Sequence, residues 1–302
     1  MMDIQHAAPK EIMVSVLMIT YNHEKYIEEA IRGILMQQVD FSAELLICND
    51  ASTDNTNKLI KSCILNNSSQ LSIRYNHHNQ NIGMMANFIF GLENCNGKYV
   101  ALCEGDDYWT DPLKLKRQVN FLEANPDYSI CFHRVYESSN EEDLKLSTLN
   151  NSIEEETYTI EDLAVDNIIH TPCVIFRNNM IKKLPNWYVD SPVGDYPLHM
   201  LNAKFGKIKY FPETMAVYRR HDNGIWSGKG QLHQSTGWVW MLTKLVVEFK
   251  GTEVEKILLE QKVRNELYIS NFNQHQNATL KKSIRQGVFY KLLRKFKKSF
   301  FK

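Results

Sequence analysis

Several absences bound this sequence of 302 residues. No apolar run approaches the roughly 18 residues a membrane-spanning helix needs. The stretch from Met1 to Glu11 is polar and has no charged start followed by an apolar core, so nothing in it reads as a secretion signal. None of the six cysteines (Cys48, Cys63, Cys95, Cys103, Cys131 and Cys173) forms a CxxC pair, and Cys48, Cys103 and Cys131 sit in apolar, strand-like runs. The expectation is reduced, buried thiols in a cytosolic protein rather than a disulfide framework. Internal repeats and low-complexity linkers are also missing.

Formal charge is absent too, with 35 basic residues against 35 acidic, but the balance is uneven. Residues 281–302 hold nine basic side chains and no acidic one, leaving 26 basic against 35 acidic elsewhere, a net of −9. An acidic body with a basic tail argues against a general nucleic-acid binder, which spreads positive charge over its main domain. With 43% apolar and 23% charged residues, the composition is that of a globular protein and excludes wholesale disorder, collagen-like and coiled-coil designs.

The first half alternates strand and helix signals. Strands are expected at Met13–Thr20, Glu44–Cys48, Leu71–Tyr75, Tyr99–Cys103 and Tyr128–Val135. Helices are expected at Lys25–Gln38, from about Asn55, at Met84–Asn94, and from Pro112 to about Ala124. Repeated β–α units predict a largely parallel sheet covered by helices on both faces, with ligands beyond the carboxyl ends of the strands. Glu137–Thr157 reads as a polar surface loop. Beyond it, Thr171–Arg177 reads as a strand, Tyr196–Phe205 as a helix, Lys207–Phe211 and Thr214–Arg219 as two short strands, and Gly224–Gly230 as a loop before a helical remainder.

Polar clusters follow three of the strands: Thr20-Tyr21-Asn22-His23, Asn49-Asp50-Ala51-Ser52-Thr53-Asp54, and Glu104-Gly105-Asp106-Asp107-Tyr108-Trp109. Carboxylates crowded at strand ends repel one another and need a cation or hydrogen-bond donors. Oxygen ligands favour Mg²⁺ or Mn²⁺, which often binds one or two carboxylates together with substrate phosphates. The plainer alternative has Asp50 and Asp54 capping the next helix, and Asp106 and Asp107 opening a turn before Pro112.

The segments VSVLMITYNHEKYIEEAIRGILMQ, LLICNDASTDNT and NIGMMANFIFGLENCNGKYVALCEGDDYWTDPLKLKRQ, in that order over about Val14–Gln118, resemble the nucleotide-binding half of a family 2 glycosyltransferase. The resemblance implies the GT-A fold: a Rossmann-like, mostly parallel α/β sheet flanked by helices, here with a C-terminal helical extension. Residues 1–12 would be a tail. Residues 13–230 would be the GT-A domain, with 13–125 binding the nucleotide sugar and 126–230 serving acceptor and catalysis. Residues 231–302 would form the helical region. It implies an inverting enzyme that moves a sugar from a nucleoside-diphosphate donor, with uridine as the expected base, to an acceptor hydroxyl of a cell-surface glycan or its lipid-linked precursor.

On the same resemblance, Thr20, Tyr21, Asn22, Asp50, Ser52, Asp54, Asn81, Glu104, Asp106, Asp107 and Arg219 would surround the donor. Tyr21 and Asp50 would contact the nucleoside, Asp106 would hold Mg²⁺ or Mn²⁺ with His221 completing the shell, and Arg219 or Arg220 would neutralise the departing diphosphate. Asn49 and Glu104 depart from the family pattern, which often has an acid at the first position and aspartate at the second. An inverting displacement needs a general base, and Asp195 in SPVGDYP is its candidate; an N-cap role, with Pro197 in the first turn, is compatible with that. His77, His78, His133, His170 and His199 read as ordinary. Tyr108, Trp109, Trp187 and Tyr188 lie near the site loops, as sugar platforms or as core.

Two enzymatic or binding alternatives accompany this reading. A sugar-nucleotidyltransferase would carry a glycine-rich, basic phosphate loop after the first strand, where Thr20-Tyr21-Asn22-His23 stands instead, and no GxxxxGK[ST] occurs. A non-catalytic nucleotide-sugar binder is opposed by Asp50, Asp106 and Asp195. In the tail, Phe289, Leu292, Leu293, Phe296 and Phe300 fall at helical spacing among basic residues. That pattern suits either an anionic membrane surface on the cytoplasmic side or packing against the acidic body.

Overall fold

The computed structural model describes residues 11–139, 143–150, 156–221, 224 and 228–274. The parallel half of the sheet forms where the sequence is most uniformly apolar. All seven residues of β1 (Val14–Thr20) and of β2 (Ala43–Asn49) are buried, as are all four of β4 (Tyr99–Leu102). This is the pattern of strands covered on both faces. Helix α1 (Ile27–Leu35) buries Ile27, Ala30, Ile31 and Ile34 at helical spacing. Helices α2 (Thr56–Leu65) and α3 (Met84–Glu93) complete the β–α units, with β3 (Ser72–His77) as a half-exposed edge.

The central order is β3-β2-β1-β4-β9-β6-β10-β5. Strands β3, β2, β1 and β4 are mutually parallel. Beyond β4 the sheet turns mixed: β9 (Ile175–Arg177) runs antiparallel to both β4 and β6 (Tyr128–Ser138), β10 (Lys207–Arg219) runs parallel to β6, and β5 (Tyr108–Trp109) antiparallel to β10. The parallel expectation therefore holds through β3-β2-β1-β4 and again between β6 and β10, with β9 and β5 as antiparallel members.

Three local readings are corrected. The two short strands expected around Pro212 are one strand, β10, with register shifts at Phe211/Thr214 and Thr214/Ala216, because a bulge absorbs the missing proline N–H. Glu137–Thr157 is not all loop: β6 extends to Ser138, β7 (Leu144–Leu146) pairs back on it, and β8 (Thr157–Tyr158) pairs with β10. Thr171–Cys173 is a 3₁₀ turn ahead of β9, and α4 (Lys114–Ala124) starts two residues after Pro112. After α5 (Ile160–Val165) and α6 (Asp195–Ala203), the described chain ends in α7 (Gln231–Glu248) and a helix, α8, over residues 253–274. The basic stretch 281–302 lies outside the described residues.

All six cysteines are free, five of them buried and Cys63 half-buried. No helix among the described residues is long and apolar enough to cross a membrane.

Register brings the polar clusters together. Thr20 pairs with Asn49 and Asn49 with His77, so three strands end level. Strand β4 is offset so that the Gly105 amide donates to the Ile19 carbonyl at 3.0 Å, setting Glu104–Asp106 beside Thr20. The antiparallel β10–β5 pair delivers Arg219 to the same edge.

Candidate functional site

One cavity of about 870 Å³ opens at this edge, with Thr20, Tyr21, Asp50 and Asn81 in its wall at the β1–β2 end. Asp50 accepts from the backbone amides of Ile82 (2.7 Å) and Gly83 (2.9 Å), while Asn81 donates to the Asp50 carbonyl. Gly83 has φ +90°, a turn that favours glycine. Asn22, Ser52 and Asp54 are absent from the cavity wall and brace the two loops instead. Asn22, at φ +57°, accepts from the Thr53 amide (2.8 Å) and donates its own amide to Ser52 Oγ (2.9 Å). Asp54 accepts from the amides of Glu24 and Thr56, each at 3.0 Å, and so ties the β1 loop to the start of α2, whose cap position is Asn55. The departure at Asn49 has a local reason: Tyr75 gives its hydroxyl proton to Asn57, so the residue facing it must donate, and Asn49 Nδ2 does so at 3.0 Å.

In the same cavity wall Asp106 is clasped by two imidazoles. Its Oδ2 lies 3.0 Å from His221 Nε2 and 3.6 Å from His23 Nε2. Burial alone would raise the Asp106 carboxyl, but these two histidines bring it below its usual value. Its neighbours move the other way: burial, then the charge on Asp106, pushes Glu104 and Asp107 well above the carboxylate range. Glu104 lines the cavity. Asp107 does not; it is 1% exposed and its Oδ1 anchors β10 by accepting from the Arg219 amide at 2.8 Å.

Arg219 reaches the cavity wall, yet its guanidinium is already engaged by Glu29, by the Asp106 carbonyl (2.7 Å) and by the Tyr108 ring, 4.3 Å away. Arg220 pairs with Glu137 at 2.6 Å. Both arginines thus have glutamate partners, Glu29 and Glu137, that lie outside the cavity wall.

Asp195 lines the same cavity as the first residue of α6, with Gly194, not Asp195, at the cap position. A Cβ at Gly194 would come within 2.6 Å of Phe88, and Tyr188 fixes the turn by donating to the Gly194 carbonyl at 2.6 Å. The Asp195 carboxylate accepts from the Tyr196 amide (2.7 Å) through Oδ1 and from Thr171 Oγ1 (3.0 Å) through Oδ2.

Among the described residues no group of three or more His, Cys, Asp and Glu forms a ready-made metal cage. The donors present nevertheless fit a hard divalent ion. Asp106 Oδ1 and the Nδ1 atoms of His23 and His221 are buried without a hydrogen-bond partner. A Mg²⁺-type site commonly uses one or two protein ligands and completes its shell with water and phosphate oxygens.

Sequence reasoning missed His23, placed against Asp106 by the turn after β1, and Glu29, the partner of Arg219. The signal for His23 was its place in the first polar cluster. His170, read as ordinary, lines the cavity; burial presses its pKa down to about 4 against the pull of Glu137. Of the aromatics left open between platform and core, Trp109 is core, donating to the Pro172 carbonyl at 2.8 Å, and Tyr188 is fully buried. Trp238, on α7, lines the cavity.

The family model of glycosyl transferase family 2 matches residues 15–185. An uncharacterised protein of Mycobacterium tuberculosis is 39% identical over 225 residues, covering 70% of this chain and 60% of that protein. Two solved structures share the fold. S. aureus TarS in complex with UDP-GlcNAc is 17% identical, with TM-score 0.64 over 87% of this chain and 74% of that one. A mannosyltransferase from Pyrobaculum calidifontis in complex with GDP-Man and Mn²⁺ is 17% identical, with TM-score 0.65 over 87% and 76%.

Proposed function

The chain belongs to glycosyl transferase family 2, and from that premise we propose that it is a divalent-metal-dependent, inverting glycosyltransferase. Its donor is a nucleoside-diphosphate sugar, with UDP as the first nucleotide to test. The observation that carries the reading is that one cavity has Tyr21, Asp50, Asn81, Asp106 and Asp195 together in its wall. The two fold neighbours, bound to UDP-GlcNAc and to GDP-Man with Mn²⁺, support a nucleotide sugar as ligand and a divalent ion beside it.

In the proposed reaction Tyr21, Asp50 and Asn81 bind and orient the nucleoside. Asp106 and His221 hold the ion, which when bound supplies positive charge to the departing diphosphate. Asp195 takes the proton from the acceptor hydroxyl as its oxygen bonds to the anomeric carbon on the face opposite the diphosphate. The carbon–oxygen bond to the diphosphate breaks and its electron pair leaves with that group, inverting the anomeric centre. Thr171 and the Tyr196 amide hold the Asp195 carboxylate in place for this proton transfer.

The acceptor, on this reading, is a glycan of the cell envelope or its lipid-linked precursor, met at the cytoplasmic face of the membrane. Calorimetric titration of UDP and GDP, with Mn²⁺ and with EDTA, tests the core of the proposal. Nucleotide affinity is expected to depend on the ion and to fall at least tenfold in Asp106→Ala. Affinity indifferent to both ion and substitution would overturn it.

A further inference from the structure

His170 and Ser147 lie outside the stretch Val14–Gln118 that carries the family resemblance, yet together they join the cavity wall to a buried acid. Ser147 follows β7 and is 1% exposed. His170 precedes the 3₁₀ turn and lines the cavity, next in sequence to the Thr171 that holds Asp195.

The hydrogen bonds around Ser147 leave its proton one place to go. Its Oγ donates to Glu137 Oε1, and the other oxygen of that carboxylate is paired with Arg220 Nε at 2.6 Å. An ionised carboxylate only accepts, so the hydroxyl proton is committed to it. His170 Nε2, at 2.7 Å, and the Leu149 amide, at 3.2 Å, approach the same Oγ. The serine oxygen must accept from both, and Nε2 therefore carries a hydrogen. Burial pushes the His170 pKa down to about 4, so the ring is neutral and its Nδ1 keeps a bare lone pair.

That Nδ1 has no hydrogen-bond partner among the described residues, and it is not one of the nitrogens sealed from solvent, unlike both of those on His199. In a ring that lines the cavity, the atom opens on the cavity. Tyr218 packs against the ring, with centroids 4.9 Å apart, and restrains it. A bare lone pair repels carboxylate and phosphate oxygens and calls for a donor.

We infer that His170 is a specificity-determining residue whose Nδ1 accepts a hydrogen bond from a sugar hydroxyl bound near Asp195, with Ser147 and Glu137 as positioning residues that fix its tautomer. The inference rests on the transferase reading, under which the hydroxyl belongs either to the transferred sugar or to the acceptor. Nitrogen-15 NMR of the full chain labelled at histidine tests it, with His170 assigned by the signals lost in His170→Asn. In the free protein at about pH 7.5, well above the His170 pKa, the proton is expected on Nε2; a proton on Nδ1 would overturn the inference. UDP, GDP, UDP-GlcNAc, UDP-glucose and GDP-mannose are then added with Mg²⁺, and neutral di- and trisaccharides in a separate series. An Nδ1 shift with a sugar nucleotide but not with the bare nucleotide assigns the hydroxyl to the donor. A shift with a saccharide assigns it to the acceptor, and no shift in either series overturns the inference. Affinity for the probe that shifts Nδ1 is expected to fall about tenfold in His170→Phe and to stay within about threefold in His170→Asn, whose amide oxygen can stand in for Nδ1. Equal loss in both variants, or loss in neither, would overturn the specificity role, and retained UDP binding reports that the variants fold. If no nucleotide binds the wild type, the transferase reading falls while the saccharide series still decides the role of His170.

Discussion

At the scale of single residues, the site depends on small side chains and on hydrogen bonds that hold larger ones still. Gly105 sits between Glu104 and Asp106, and a Cβ there would lie 2.6 Å from Thr20 Oγ1 and 2.9 Å from His23 Nδ1. Gly105→Ala is expected to cost about 1–3 kcal/mol of stability, as overpacking does, and to weaken ion-dependent nucleotide binding by displacing His23 from Asp106. Denaturant unfolding and a nucleotide titration check the two effects. Thr171 acts on Asp195 through one hydrogen bond of 3.0 Å. Thr171→Val keeps the shape and removes the donor to a carboxylate, a change worth about 1.5–3 kcal/mol. A roughly tenfold or greater drop in kcat with donor KM unchanged is the expected result in a transfer assay. Ala51, held at φ +56°, is a third such position; Ala51→Gly is expected to raise stability by about 1 kcal/mol through relief of left-handed strain, as read by thermal unfolding.

At the scale of elements, the sequence was legible wherever a segment's fate depends on its own pattern. Strands β1, β2 and β4 announce themselves as short runs buried throughout, and α1 by its spaced isoleucines. What stayed hidden depends on partners distant in sequence: the antiparallel insertion of β9 between β4 and β6, the continuity of β10 across Pro212, and the return of β7 onto β6. The same division runs through the site. The clusters at strand ends were readable, whereas His23 on Asp106 and Glu29 on Arg219 arise only once register is set. That Asp195 stands where a glycine-led turn enters a helix was readable, and α6 begins there.

Helix α6 carries a further consequence. His199, one turn after Asp195, is fully buried with both ring nitrogens unpartnered, and burial lowers its pKa to about 4; His170 is lowered to about 4 in the same way. The unfolded chain protonates near 6.5, so between about pH 6.5 and 4 the unfolded state binds more protons than the folded one. Stability is full above pH 6.5 and falls as pH drops toward 4, by an amount on the order of 3 kcal/mol for each imidazole. Denaturant unfolding at pH 7.5 and 5.0 should show the loss, and His199→Leu should reduce it; an unchanged pH dependence in that variant would assign the acid sensitivity elsewhere.

At the scale of the whole molecule, one mixed sheet joins the half that carries Asp50 and Asp106 to a half that brings the proposed base, and α7 and α8 line the cavity from outside the family-matched region. The charge division makes a membrane-docking role for residues 281–302 a testable proposal. Deleting residues 281–302, with their nine basic side chains, is expected to abolish retention on vesicles rich in anionic lipid, since each such residue near the surface contributes about 1 kcal/mol. Unchanged retention would end the membrane proposal. The central claim is that nucleotide gripping and proton removal are separate tasks performed in one cavity by Asp106 and Asp195. Comparing Asp195→Asn with the wild type, by UDP titration in Mn²⁺ and by sugar transfer from the preferred donor, tests it most directly. The account predicts nucleotide affinity within about twofold and transfer reduced by about 10²–10⁴, the usual contribution of a general base; transfer at the wild-type rate would contradict it.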